Sequence, residues 1–220
     1  MNKYVNIIIL VFIIAGCSKD ESQSDTCKFI NFKYYYNTPE TIGELSSDFI
    51  FIGVDSNYTD DEIHQFISSN DDFDQNYNYL IINDNKLNYK GIPLKLNESK
   101  TCDEITSLIE NLKTDPFISY AHYILTSNNC PGLNESVNQS ECHVSYSNYF
   151  IVKVVDENNL SDLYRIVNKT GTKLIGEDEY TQGVYYVSPT KSSKKDALYM
   201  ANYFSETHLF EFSEPNLIYF

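Results

Sequence analysis

Tryptophan is absent from the 220 residues, methionine occurs twice, and only 16 residues are Lys or Arg against 31 Asp or Glu. A chain this short of cations, with a formal net charge of −15, lacks the clustered Lys and Arg that phosphate binding requires. Nucleic-acid partners are therefore excluded. The same shortage argues that the chain as a whole is not drawn to anionic membrane surfaces. There is no CxxC or HxxxH spacing, so the common zinc sites are missing. The Asp60-Asp61-Glu62 and Asp71-Asp72-Phe73-Asp74 runs offer carboxylates, but without the glycine and the final bidentate glutamate of an EF-hand loop. They read as solvated acidic segments, not calcium sites. His64, His122, His143 and His208 are scattered and read as surface or packed side chains. No metal, no cofactor and no catalytic residue is expected. What replaces tryptophan is 19 Tyr and 13 Phe, enough to build a core.

Long apolar runs are also missing, save one. After Met1-Asn2-Lys3, an apolar stretch from Val5 to Ala15 is broken only by Asn6. It falls short of the roughly 20 residues a membrane-spanning helix needs. A basic start followed by a short apolar core is the layout of a secretory signal. The stretch ends Ile14-Ala15-Gly16-Cys17, which resembles the lipobox of bacterial lipoproteins. That resemblance implies cleavage after residue 16 and diacylglycerol on the Cys17 thiol. Residues 1–16 are thus read as a lipoprotein signal peptide and 17–28 as a polar, flexible tether. Asp20-Glu21 near its start resembles the surface-export signal of some Gram-negative lipoproteins. The expected location is the bacterial envelope, on the outer membrane or the cell surface.

Lipid on Cys17 leaves Cys27, Cys102, Cys130 and Cys142. An even remainder in an exported chain points to two disulfides, with three pairings possible. Cys130 and Cys142 bracket a polar stretch containing Pro131-Gly132 and form the best local pair, which would leave Cys27 for Cys102.

From residue 49 the pattern runs strand, helix, strand, strand, helix, strand, and then repeats. Phe49–Val54 is a first strand. Thr59 and Glu62 form a capping box ahead of a helix with Ile63, Phe66 and Ile67 on one face. Tyr79–Ile82 and a weaker stretch through Leu94 and Leu96 are predicted as the middle strands. A second capping box, Thr101 to Glu104, opens a helix carrying Ile105, Leu108, Ile109 and Leu112, and Ile118–Leu125 closes the first copy. The second copy starts at Tyr149, has a helix with Leu160, Leu163 and Val167 that ends near Gly171, and continues through Thr172–Gly176 and Gly183–Val187. Ala197, Met200, Ala201 and Phe204 repeat the spacing of the earlier helix, and Phe210–Tyr219 is the last strand. The fold class is α+β: two tandem ferredoxin-like (βαββαβ) units with antiparallel sheets. Their predicted bounds are 29–126 and 149–220, joined by a linker loop at 127–148.

The closing segment, Leu209-Phe210-Glu211-Phe212-Ser213-Glu214-Pro215-Asn216, resembles the final strand of subtilisin-family prodomains. Lys33-Tyr34-Tyr35-Tyr36 with Ile42 and Leu45 is similar to the tyrosine-rich opening of lipoprotein subtilases that carry a fervidolysin-like N-terminal prodomain. The resemblance implies a module that helps a protease fold and then occupies its cleft. It implies partner-binding roles for Glu211, Glu214, Pro215 and Asn216, with a carboxylate capping enzyme helices and Pro215 ending the strand. The Asp-Thr-Gly, His-Gly-Thr and Gly-Thr-Ser segments of the peptidase are not among these residues, so no Ser-His-Asp triad is assigned. The expectation is a non-catalytic envelope lipoprotein that binds a separately made subtilisin-like peptidase. A structural or adhesive surface lipoprotein, or the remnant of a truncated peptidase gene, is the competing expectation.

Overall fold

The structure is a computed structural model that describes residues 27, 29–36, 38–130, 142–193 and 195–220. The signal segment, Cys17 and nearly all of the tether lie outside the described residues. Two units follow one another, each with the strand order of a ferredoxin-like fold. The first contains β3 (Glu44–Asp55), α1 (Asp60–Ser68), β4 (Ile82–Asp84), β5 (Tyr89–Lys95), α2 (Cys102–Leu112) and β6 (Ile118–Ser127). The second contains β7 (Cys142–Val154), α3 (Ser161–Thr170), β8 (Lys173–Glu177), β9 (Val184–Ser188), α4 (Ala197–Glu206) and β10 (Phe210–Tyr219). Sheet order is β4-β5-β3-β6 in the first and β8-β9-β7-β10 in the second, all neighbours antiparallel.

The helix starts follow from their caps. The Thr59 hydroxyl accepts from the Glu62 backbone N–H at 3.2 Å, and Glu62 accepts from the Thr59 N–H at 2.7 Å. Thr101 and Glu104 repeat this at 3.4 and 2.7 Å. Each exchange satisfies orphan donors of a first turn. These hydrogen bonds to backbone also hold the Glu62 and Glu104 carboxyls below their usual range. Gly171 ends α3 at φ 67°, the left-handed conformation that glycine reaches without strain.

Each sheet buries one face under its helices. Ile50, Ile52 and Val54 meet Ile63, Ile105 and Ile109 in the first unit; Phe150 and Val152 meet Leu163, Ala201 and Phe204 in the second. All four positions of the repeated helical stripe, Ile105/Ala197 through Leu112/Phe204, are buried. The opposite face of the first sheet is also covered. Phe51, Tyr120 and Ile124 form a third cluster, closed by Ile218 and Phe220 from the end of the second unit. Gly53 lies under the Tyr120 ring, so closely that a Cβ there would overlap it. That close approach is the reason for glycine in mid-strand.

The units share one continuous sheet. The start of β7 pairs with β6 on one side (Leu125↔Val144) and with β10 on the other (Tyr219↔Val144). Farther along, β9 replaces β6 as neighbour (Phe150↔Val187), leaving β10 as an edge along the full length of β7. The linker expected at 127–148 overlaps the last residue of β6, Ser127, and the start of β7, which begins at Cys142. The strand expected at Tyr79–Ile82 is displaced to Ile82–Asp84, because only those residues have ladder partners in β5. Tyr79 instead turns to His64, 3.2 Å from its Nδ1.

The tyrosine-rich opening is a separate hairpin, β1 (Phe32–Tyr35) with β2 (Thr38–Thr41). Tyr35 at the end of β1 and Tyr36 just after it are 47% and 65% exposed. Although it precedes the first unit, this hairpin packs on the second. The Asn202 amide donates to the Phe32 carbonyl at 2.9 Å, and Tyr34 donates to Glu206 at 3.1 Å. Two disulfides are present, Cys27–Cys102 and Cys130–Cys142.

Candidate functional site

The four residues implied as a partner site lie on β10, but they do not form one free surface. Glu211 is exposed. Glu214 is half-buried and holds the Lys33 ammonium of β1 at 3.2 Å. Asn216 donates to the Ser147 hydroxyl at 2.9 Å. Pro215 is buried opposite Phe150, and β10 continues past it to Tyr219 with a register shift between Pro215 and Leu217. Pro215 therefore does not end the strand. Proline lacks a ladder donor, and an edge strand tolerates that loss at an irregularity. Glu214, for which the resemblance implies a helix-capping role, is paired here with Lys33 of the hairpin.

What the second unit does offer is the sheet face away from α3 and α4. Phe150, Val152 and Val154 point to the helices, so Ile151 and Lys153 point to the other side. Cross-strand pairing lines up Tyr186, Ile151 and Glu214 as one row, and Val184, Lys153 and Phe212 as the next. Tyr186, Ile151 and Phe212 are half-exposed. At one end the first unit reaches over, with the Lys86 ammonium 4.1 Å from the Tyr186 ring centre. The Tyr186 hydroxyl bonds Asp178; that bond pushes the phenol up to about 12 and holds Asp178 below its usual range.

The acidic runs are engaged locally. Asp60 holds Lys90 at 2.8 Å, Asp72 holds Lys100 at 3.2 Å, and Asp74 holds Lys95 at 3.1 Å. Among the described residues no group of three or more His, Cys, Asp or Glu is arranged to hold a metal.

The histidines are dispersed. His64 is exposed on α1, and His208 follows α4 at φ 55°. His143 lies between Phe49 and Phe220, with ring centres at 4.4 and 5.9 Å. His122 is the one placed where sequence reading had no signal. It faces the second unit from β6, stacked on Tyr146 at 4.3 Å and beside Tyr120 at 4.8 Å. Its Nδ1–H donates to the Tyr146 carbonyl at 2.9 Å. Tyr146 in turn donates to Asp196, the cap of α4, at 3.1 Å. Burial lowers His122 to about 4, against the pull of Asp196 and the Tyr146 carbonyl in the other direction. Burial first, then Asp196, raises the Tyr146 phenol well above its ordinary value. His122 and Tyr146 are buried, and through them and the half-buried Asp196 the two units are linked.

No protein-family profile and no curated protein matches the chain. Among solved structures, the small subunit of acetolactate synthase from Thermotoga maritima is similar over 79% of this chain and 95% of that one, at 8% identity and a TM-score of 0.26. A likeness of that degree carries no argument about activity.

Proposed function

We propose that this chain is a lipid-anchored envelope protein without catalytic activity, whose second unit binds a partner protein as a subtilase prodomain does. The partner is a separately made subtilisin-like peptidase, chaperoned or inhibited by it. The observation that carries the reading is the second ferredoxin-like unit itself. It ends in the edge strand β10 with Glu214-Pro215-Asn216, beside a sheet face whose Tyr186, Ile151 and Phe212 remain half-exposed. In prodomain complexes of the family that the sequence resembles, this face packs on the enzyme. The displaced Glu214 shifts the weight of recognition from a capping carboxylate to these apolar side chains and to the exposed Glu211.

Titration calorimetry against subtilisin-family peptidases of the same organism tests it. Binding of micromolar strength or better is expected, weakened at least about tenfold by Ile151→Asp, since a charge buried without a partner costs more than the 1.4 kcal/mol that factor represents. Absence of binding to every such peptidase, or binding indifferent to Ile151→Asp, rejects the reading.

The anchor is tested separately. Mass spectrometry of the protein purified from envelopes should find Cys17 acylated as the mature N-terminus. Cys17→Ser should leave the protein soluble or uncleaved. A mature N-terminus free of lipid removes the anchor.

A further inference from the structure

Charge in this molecule is strongly negative overall, yet its cations are not spread evenly. Among the described residues, Lys33, Lys90, Lys95, Lys100, Lys113, Lys153 and Arg165 each hold a carboxylate. Lys86 packs on Tyr186. The remaining four, Lys169, Lys173, Lys191 and Lys195, are exposed, make no ion pair, and share one corner of the second unit.

Three connections bring them together. Gly171, between Lys169 and Lys173, has its carbonyl bonded by the hydroxyls of Thr190 at 2.7 Å and Ser193 at 2.9 Å. This seats the loop carrying Lys191 against the end of α3. The Lys169 ammonium lies 5.7 Å from the Tyr203 ring centre, and Lys195 lies 5.3 Å from that of Tyr199. Tyr199 and Tyr203 are one turn apart on α4, so both lysines border the same helix face. Asp196, next to Lys195 in sequence, is committed to the α4 N-terminus and to Tyr146. Attraction to the carbonyl end of α3 accounts for Lys169. It does not account for the other three.

We propose that this corner docks on an anionic lipid bilayer through the phosphates of its headgroups. Four unneutralised ammonium groups supply the attraction, and the two tyrosines between them suit the boundary between water and acyl chains. The inference rests on the anchor reading for its biological setting. A tether from Cys17 to Cys27, about 35 Å when extended, keeps the bilayer within reach of the folded body. A uniformly acidic body would be held off that surface; one basic corner gives it a defined face to present. The overall negative charge thus hides a local exception, and the conclusion from composition that the chain avoids anionic membranes does not extend to this corner.

The test uses the chain from Ser18 onward, which retains every described residue and carries no lipid. Co-sedimentation is measured with vesicles of phosphatidylcholine alone and with added phosphatidylglycerol. Partitioning at least about tenfold stronger on the anionic vesicles is expected at low salt, with loss at high salt because the interaction is screened. The combined Lys169→Glu, Lys173→Glu, Lys191→Glu and Lys195→Glu variant should abolish it. The corresponding Gln variant should weaken it, and Lys86→Glu should leave it unchanged. Equal partitioning on both vesicles overturns the proposal, as does binding that survives the fourfold reversal. Binding of inorganic phosphate, read by chemical-shift changes, without vesicle binding overturns it too. Because no lipid is attached to the protein, failure here is distinct from failure of the Cys17 assay.

Discussion

Acidification from pH 7 to pH 4 is expected to remove about 3 kcal/mol of stability through His122, whose folded pKa of about 4 lies below the ordinary imidazole value of 6.5. The sign follows from proton counting. Between those two values the unfolded chain binds a proton at this residue and the folded chain does not. Stability is complete above pH 6.5, falls as the pH drops, and the loss is finished near the folded value. Protonation would place a cation among the rings of Tyr120 and Tyr146, with Asp196 the nearest compensating charge and Lys113 opposing it. Other groups act in other windows or directions. Glu62, Glu104, Asp74 and Asp178 titrate below their ordinary values, so their contributions fade at lower pH. Asp84 is raised by burial and works in the opposite sense. Urea unfolding of the wild type and His122→Gln across this range isolates the term, because glutamine keeps a donor for the Tyr146 carbonyl and does not titrate. The difference between pH 7 and pH 4 should shrink by about 3 kcal/mol in the variant. Parallel profiles for the two proteins would show that His122 takes up its proton as readily in the folded chain as in the unfolded one.

Loss of the Cys27–Cys102 disulfide should cost about 4 kcal/mol, since it closes a loop with a sequence separation of 75. By the same loop-entropy account, Cys130–Cys142, with a separation of 12, contributes about 3 kcal/mol. Cys27→Ala paired with Cys102→Ala is the cleaner comparison, because a lone thiol at the first position of α2 would be activated by the helix end. The double replacement should cost no more than either single one, as both remove the same bond. A change in the urea midpoint equivalent to under 1 kcal/mol would show that the N-terminal arm is held by Phe29 and Ile30 packing instead.

Much of the architecture was legible in the chain because its signals are local. Thr59 with Glu62 and Thr101 with Glu104 are each a few residues apart, and both caps formed as read. The apolar stripe of α2 and its counterpart in α4 needed only one helical period. What was hidden depends on distant partners. Ser145 and Ser147 made the start of β7 look like a loop. In the fold Ser145 donates to the Tyr123 carbonyl at 3.2 Å and Ser147 accepts from Asn216, so polar residues occupy a buried strand. The displaced middle strand reflects the same limit, since β5 rather than local propensity decides where β4 begins. At the candidate site, Glu214 was found by its motif, but its capture by Lys33 spans 181 residues and has no local trace. The four lysines are legible individually; only the loop folding onto Gly171 unites them.

The sulfur bridges also decide how the molecule would bear a load. A pull on the N-terminal arm enters at Cys27, crosses to Cys102 and continues along α2, bypassing everything between those two positions. The β1–β2 hairpin, β3, α1, β4 and β5 form a closed ring off the load-bearing path. The second bridge shunts force past its own loop in the same way. Tension arriving through a membrane tether would strain α2, β6 and the second unit. The Lys33–Glu214 clasp and most of the first sheet would hang beside that path as hidden length, slack until a reductant cuts the bridge.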